Sequence, residues 1–454
     1  MTDELIDPVL VDPEDSAVFH RELDRGYPLI ARGDGMWLVD TDGNRYLDAV
    51  GGGAMVASVG AGVADLADAA RRQLDDIGFI YNQQFTSPAQ EALARRLVAL
   101  APGFARVHLT SGGSEANETM LRLARAFHVE RGEPERWNVI SFAQAYHGPT
   151  MATLALTGRP GLQHPNQPYL PGFVHVPPPT RRFDPSGRRT LEAIERAISE
   201  HGAGTIAAFV CEPVSAAAMP AFRAPDEFWL GLDALRRRHG FLVCLDEVVT
   251  GMGRTGTWFH AEQLPIEVDI VSTAKGLGAG YAPVAAVLCR QEIYDAVAAG
   301  SRGFELGHTW DGAPLPCAVG LAVIDYLERH RLVERVAERG PGIRAALAEA
   351  VAGFPMVAEV RGHGFLLGVE YVDPNDGESF LDPALGVARR IDQEALRRGL
   401  IVYSTQPTRD GYAGDQTLLA PAFTATDAEL DMMVERMRAT IAAVFAETTQ
   451  RSLR

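Results

Sequence analysis

Short apolar runs alternate with amphipathic helical patterns through the middle of this chain, between residue 61 and about residue 330. The runs that best fit strands are VHLT, WNVISF, IAAFVCEPV, FLVCLDEV and PVAAVLC. Strands that alternate with helices are joined by crossovers, which is typical of parallel sheets. We therefore expect an α/β fold whose large domain has a mostly parallel central sheet flanked by helices.

The pattern is different at both ends of the chain. Residues 35–50 alternate around an Asp-Gly pair at 42 and 43 and predict a β-hairpin that follows an N-terminal arm. Beyond residue 330, long helical patterns precede the strand-like run MVAEVRGHGFLLGVEYV. The last helix carries an apolar stripe at helical spacing, made of Leu430, Val434, Met437, Ile441 and Val444.

These changes predict three regions. Residues 1–60 form the arm and a segment that joins the small domain, 61–330 the large domain, and 331–454 a smaller α+β domain. A length of 454 residues agrees with more than one hydrophobic core.

Composition narrows the classes of function. With 46% hydrophobic and 22% charged residues the chain is typical of a globular protein, and its net charge of −17 argues against binding of nucleic acid or of anionic membranes. No apolar stretch approaches the length of a membrane span. The cysteines are widely spaced and favour free thiols in a reducing compartment, so we expect a cytoplasmic protein; they are Cys211, Cys244, Cys289 and Cys317.

Lys275 is the only lysine of the sequence, beside 41 arginines. A general preference for arginine explains the loss of the other lysines, and the survival of one could be chance. A chemical explanation is equally open at this point, because a lysine amine can be deprotonated and act as a nucleophile, whereas a guanidinium stays charged.

Two further sequence features indicate a binding site for a cofactor or ligand. Asp246 follows the buried run FLVCL, at the carboxyl end of a strand, where open α/β sheets bind ligands. Gly112, Gly113 and Ser114 lie between a strand and a helix, where free N–H groups attract phosphate. Each feature is common by itself, and a strand-end acid often only caps a turn.

Weaker candidates follow other strands. Tyr146 and His147 end the run SFAQAYHG, Glu212 ends FVCEPV, and GHTWDG supplies hydroxyl and imidazole groups. A nucleophilic lysine, a strand-end aspartate, a phosphate-binding turn and a stacking tyrosine are together what pyridoxal 5′-phosphate (PLP) requires. The set therefore predicts a PLP enzyme.

The order of these motifs resembles the class III (ω-type) aminotransferases, which are PLP enzymes of fold type I. TSGGSEAN, YHG, EPV, DEVVTGMGRTG, STAKGLGAGYAP and GHTWDGAPLPCAVGLAV follow one another as in that family, over roughly residues 30–440. The resemblance implies transfer of an amino group from an amine or ω-amino acid to a keto acid such as pyruvate. It also implies a homodimer with shared active sites.

The resemblance further implies roles for single residues. Lys275 would bind the cofactor covalently and carry the proton, and Asp246 would hold the ring nitrogen protonated. The remaining cofactor contacts would come from Gly112, Gly113, Ser114, Tyr146 stacking over the ring, His147, Glu212, Val248 beneath the ring, and Thr309 reaching across from the partner subunit.

The substrate contacts are less determined, because the chain departs from the family in three places. Ala61 and Ala313 stand where many relatives have histidine, and Ala413 stands where arginine is frequent. Arg409 and Trp310 are the candidates for substrate binding, although Arg409 could equally be a solvated loop residue. Racemisation, decarboxylation and phospholyase chemistry on the same scaffold remain alternatives, and a cofactor-binding regulator without turnover is a further one. We expect no bound metal.

Overall fold

The computed structural model describes residues 5–305, 307–405 and 412–452. Its strands are β1 (Leu10–Val11), β2 (Tyr27–Pro28), β3 (Ile30–Asp34), β4 (Trp37–Asp40), β5 (Arg45–Asp48), β6 (Arg106–Thr110), β7 (Asn138–Phe142), β8 (Val174–Val176), β9 (Ile206–Cys211), β10 (Leu242–Glu247), β11 (Ile270–Thr273), β12 (Ala285–Cys289), β13 (Val357–His363), β14 (Leu366–Tyr371), β15 (Leu400–Ile401), β16 (Tyr403–Thr405) and β17 (Gln416–Leu419).

Helices separate most of these strands. They are α1 (Ala64–Asp76), α2 (Pro88–Leu100), α3 (Gly113–Glu130), α4 (Met151–Leu156), α5 (Pro160–Gln163), α6 (Arg188–His201), α7 (Asp226–His239), α8 (Gln291–Ala299), α9 (Pro314–Arg329), α10 (Leu332–Val351), α11 (Val387–Arg397) and α12 (Asp427–Ser452).

The largest sheet has seven strands in the order β6-β12-β11-β10-β9-β7-β8. Strands β11, β10, β9, β7 and β8 pair in parallel, whereas β12 is antiparallel to both of its neighbours. The five predicted strands are β6, β7, β9, β10 and β12, and the α/β prediction is confirmed. Strands β8 and β11 were not predicted, because they are only three and four residues long.

Apolar side chains cover both faces of this sheet. Helix α3 packs against one face around Met120 and Leu123, and α6 and α7 pack against the other around Ile194 and Trp229. Strands β9 and β10 are buried along their whole length, which explains their continuous apolar sequence. The polar residues that follow them are therefore held at fixed positions at one edge of the sheet.

The C-terminal part forms a separate antiparallel sheet in the order β13-β14-β17-β16. Helix α12 lies against α10 and α11, and Leu430, Met437, Ile441 and Val444 of its predicted stripe are buried, while Val434 is partly buried. The predicted hairpin is formed by β4 and β5. Strand β5 also pairs with β15 of the C-terminal part, and we keep the division at residues 60 and 330 as a proposal.

Two findings bear on the environment of the chain. In the part of the chain that the structure describes, no helix has the length and apolar character required to cross a bilayer. All four cysteines are buried free thiols, and burial raises the pKa of each thiol.

Candidate active site

One cavity of about 390 Å³ lies at the carboxyl ends of the parallel strands. Because such strands end at the same edge of the sheet, loops that are far apart in sequence meet there. Nine of the predicted site residues line this cavity: Gly112, Gly113, Ser114, Tyr146, His147, Glu212, Asp246, Val248 and Lys275.

Asp246 is fixed by a network of donors at the end of β10. Its Oδ2 accepts hydrogen bonds from Asn117 Nδ2 at 2.7 Å and pairs with His147 Nδ1 at 2.8 Å, and its Oδ1 accepts from the Val248 N–H at 3.0 Å. Asn117 is oriented in turn by the Ser272 hydroxyl, which donates to Asn117 Oδ1 at 2.6 Å. A buried carboxylate with this many hydrogen-bond partners is held in one orientation.

The glycine turn brings the start of α3 to the cavity. Gly112 is the residue before the helix, and no side chain caps the first N–H groups. A Cβ at Gly113 would lie 2.9 Å from Val248 Cγ1, so the turn and the loop after β10 fit closely only with glycine there. The uncapped N–H groups of this 18-residue helix and the Ser114 hydroxyl are groups that can donate hydrogen bonds to an anion.

Lys275 follows β11 by two residues, so its amine reaches the same cavity as Asp246. Burial lowers the pKa of the Lys275 amine, while the negative charges of Asp246 and Glu212 act in the opposite direction. A lowered pKa increases the fraction of uncharged amine, which is the nucleophilic form.

Glu212 shapes the wall beside Tyr146. The Glu212 carboxylate accepts from the Tyr146 N–H at 3.3 Å, the Ser215 hydroxyl at 3.1 Å and the Ala216 N–H at 3.0 Å. Burial raises the pKa of Glu212, and the negative charge of Asp246 acts in the same direction. Glu212 therefore fixes the loop that carries Tyr146.

The other predicted residues lie elsewhere. Thr309 is exposed and does not line the cavity of its own chain. Trp310 is 55% exposed, with its ring 5.1 Å from that of Phe79. Arg409 lies outside the described residues.

The class III aminotransferase family matches residues 19–441. The chain belongs to the class III aminotransferases. This aminotransferase is 32% identical to the putrescine–pyruvate aminotransferase of Pseudomonas aeruginosa, with 93% of each chain covered. Its fold is similar to that of an (S)-enantioselective ω-transaminase from Thermomicrobium roseum, with a TM-score of 0.86 and 35% identity over 93% of this chain and 94% of the other. It is also similar to the PMP-bound form of an aminotransferase from Vibrio fluvialis, with a TM-score of 0.88 and 28% identity over 96% of this chain and 98% of the other.

The residues of the aminotransferase fit the PLP of its family. The cavity offers an uncapped helix start for a phosphate, a fixed carboxylate for a protonated ring nitrogen and one amine for the aldehyde. The close approach of Gly113 and Val248 leaves no room for a side chain between the turn and the ring site. The predictions of the cofactor and of the class III aminotransferase family are thus confirmed.

Sequence reasoning missed several residues that line the cavity, among them the polar or charged side chains of Asn117, Arg21 and Tyr403. Asn117 stands three positions after Ser114, one turn further along α3, and this spacing could have indicated that it faces the same cavity. Arg21 of the N-terminal arm and Tyr403 of β16 also line the cavity. No local pattern indicates them, because only tertiary packing brings these distant segments together.

Proposed function

We propose that this aminotransferase moves an amino group from an amine or ω-amino acid donor to a keto acid acceptor such as pyruvate. The observation that carries the proposal is that Lys275 and Asp246 line one cavity beside the uncapped start of α3. The similarity to a putrescine–pyruvate aminotransferase supports the choice of donor and acceptor class.

PLP, when bound, supplies an electron-poor ring and an aldehyde carbon that amines attack. Lys275 is the residue that would hold that carbon through its amine. Its freed amine then takes the proton from the donor carbon and returns it, which requires the uncharged form. The lowered pKa of Lys275 supports this role.

The other side chains hold the ring and the phosphate. Asp246 keeps the positive charge on the ring nitrogen through an ion pair, and Asn117 and His147 keep the Asp246 carboxylate aimed. Gly113 and Ser114 would bind the phosphate with their N–H groups, and Tyr146 would stack on the ring. His147 thus acts through Asp246, as a positioning residue.

We expect the residues at the mouth of the cavity to determine which substrates bind. Among the described residues that line it, Arg21 alone carries a guanidinium. A guanidinium pairs well with a carboxylate, and Arg21 is our candidate for the carboxylate of the keto acid. Arg409 remains a second candidate, as predicted from the sequence.

We also propose a homodimer with shared active sites, in which Thr309 contacts the cofactor of the other subunit. Exposed aromatic side chains support it, since an isolated chain would leave them in water; they include Phe19, Phe85 and Trp310, which are 93%, 62% and 55% exposed. The cytoplasmic location remains our prediction, and the four free thiols support it.

The central test is Lys275→Arg, which keeps the positive charge and removes the nucleophilic amine. Borohydride treatment of the PLP-loaded wild type should attach one cofactor per chain at Lys275, detectable by mass spectrometry. The variant should fold, incorporate no label and show essentially no turnover. Substantial activity of Lys275→Arg would overturn the mechanism. A screen of amines against pyruvate and 2-oxoglutarate then identifies the substrates.

A further inference from the structure

A second cavity of about 370 Å³ lies apart from the active site. One wall comes from residues 179–185 and 219–225, which belong to the loops around the seven-stranded sheet. The other wall comes from α10 and β13 of the C-terminal part. We call this space the interdomain cleft. Its volume is in the range of sites for small ligands.

Five arginines and two glutamates line the interdomain cleft, in a chain whose net charge is −17. The arginines are Arg181, Arg182, Arg223, Arg344 and Arg361. Such a local excess of positive charge is unusual in an acidic protein and needs a physical reason. Like charges that face one cavity repel each other unless an anion lies between them.

The two glutamates are already bound by two of the arginines. Glu370 pairs with Arg182 at 3.2 Å and with Arg361 at 2.7 Å, and Glu359 pairs with Arg361 at 3.5 Å. Arg361 Nε also donates to the carbonyl oxygen of Pro220 at 3.2 Å, which ties the two walls together. These ion pairs build the floor of the cleft and leave the other arginines available.

The remaining positive charge is only partly neutralised. Arg223 pairs with Asp226 at 2.7 Å, but that carboxylate is largely exposed. Arg181 and Arg344 have no ion pair with any described residue. His363 lies on the same wall. Burial, and to a lesser extent the positive charges of Arg223 and Arg344, lower the pKa of its imidazole to about 4. A neutral His363 can still donate one hydrogen bond to an anion.

The segment from Glu212 to Phe222 separates the interdomain cleft from the active site. Glu212 lines the active site, whereas Phe222 lines the cleft. The Ser215 N–H donates to the Phe222 carbonyl oxygen at 2.7 Å, which closes the segment into a loop. The cleft is thus a different site from the one that binds cofactor and amine.

We propose that the interdomain cleft binds a small polyanion, a molecule with two or more phosphate or carboxylate groups. The guanidinium groups of Arg181 and Arg344 hold its charges through bidentate hydrogen bonds, and the positive charge of Arg223, which stays paired with Asp226, adds to the attraction. Because the walls come from two parts of the chain, the bound anion bridges them and stabilises the folded protein.

The test uses the protein saturated with PLP, so that the phosphate site at α3 is already filled. Inorganic pyrophosphate and citrate, titrated separately by calorimetry, distinguish phosphate from carboxylate chemistry. We expect saturable binding of at least one probe at one site per chain, weakened by salt, and a rise in the thermal midpoint with probe concentration.

Variants locate the site. Arg344→Gln should weaken binding at least tenfold, and Arg181→Gln/Arg344→Gln about a hundredfold, because each charged hydrogen-bonding group is lost without disturbing an ion pair. Arg196→Gln, an exposed arginine of α6 that does not line the cleft, is the matched control and should bind as the wild type. Arg21→Gln should also leave the affinity unchanged, which separates the cleft from the active site.

The proposal is overturned if neither probe binds saturably to the wild type. It is equally overturned if the double variant binds as tightly as the wild type, or if Arg21→Gln abolishes binding. Both substituted cleft residues are exposed side chains, so normal folding of the variants is expected and a far-UV spectrum checks it.

Discussion

Two adjacent carboxylates at the end of β10 have different surroundings. Asp246 lines the cavity, whereas Glu247 turns to the other face of the sheet, as successive side chains of a strand do. The Glu247 carboxylate accepts from the Thr250 hydroxyl at 2.9 Å and from the N–H groups of His260 and Ala261 at 2.6 and 2.8 Å. Asp246 thus faces the cavity, whereas Glu247 holds the loop after the strand in place.

Asp246→Asn should retain PLP but lower kcat by about a hundredfold or more, because the ring nitrogen loses its anionic partner. Ion pairs of this kind lower the activation barrier by several kcal/mol. Single-turnover kinetics with an amine donor measure the loss. Glu247→Gln is the matched control: it changes the adjacent carboxylate in the same way and should leave the single-turnover rate near that of the wild type. Near-normal turnover of Asp246→Asn would remove Asp246 from the mechanism.

Glu247 gives a prediction about pH. Burial raises the pKa of Glu247 from 4.5 to about 7, so the protonated form is favoured in the folded protein. The contribution of protonated Glu247 to the free energy of unfolding is complete below about pH 4.5. It is lost as the pH rises through 7, which lowers the free energy of unfolding by about 3 kcal/mol. Glu247→Gln stays uncharged, so its thermal midpoint relative to the wild type should improve between pH 5 and pH 8. A difference independent of pH would contradict the raised pKa.

At the scale of elements, the start of α3 depends on the loop after β10. Gly112 and Gly113 are adjacent, but a Cβ at Gly113 would lie only 2.9 and 3.0 Å from the Cγ atoms of Val248, whereas a Cβ at Gly112 would meet nothing within 4 Å. The position of the helix start therefore depends on the absence of one methyl group.

Gly113→Ala should weaken PLP binding about tenfold, because overpacking costs on the order of 1–3 kcal/mol and displaces the first N–H groups of α3. Equilibrium titration with PLP measures the loss of affinity. The double variant Gly113→Ala/Val248→Ala removes both clashing Cγ atoms. Its loss of PLP affinity should therefore be smaller than the sum of the losses of the two single variants. Strictly additive losses would mean that the contact with Val248 does not set the turn.

At the scale of the whole molecule, the described chain leaves aromatic side chains in water near Thr309. Phe79 and Trp310 pack edge to face and are 40% and 55% exposed. Thr309, next to Trp310 in the sequence, is exposed and does not line the cavity of its own chain. A second subunit would cover these residues and receive Thr309, which is the basis of the shared-site proposal.

Mixing two inactive or impaired variants tests that proposal. Lys275→Arg lacks the nucleophile and Thr309→Ala lacks the cross-subunit contact. In a mixed dimer, the site with an intact Lys275 receives Thr309 from the other subunit, so refolding the variants together should restore activity above that of either alone. Sedimentation velocity verifies that dimers are present, and dimers without recovery would place both residues in one subunit's site.

Much of the site follows from local sequence. Asp246, Glu212 and Tyr146 each follow an apolar run that forms a buried strand, and parallel strands end at one edge, so their meeting could be predicted. Strand β11 was missed because it is short, although Lys275 after it was singled out by its uniqueness in the sequence. Arg21 could not be found, because a guanidinium in an irregular arm carries no period and no motif.

The sequence by itself therefore determined the α/β class, five of the seven strands of the large sheet and the chemistry open to Lys275, because these depend on local apolar runs and on residue type. Tertiary structure alone decided which distant groups share a space. It brought Arg21 and Tyr403 to the cavity, turned Asp246 toward Asn117 and His147, and gathered the arginines of the interdomain cleft. These contacts depend on how the sheets and helices pack against each other, and packing is a property of the folded chain as a whole.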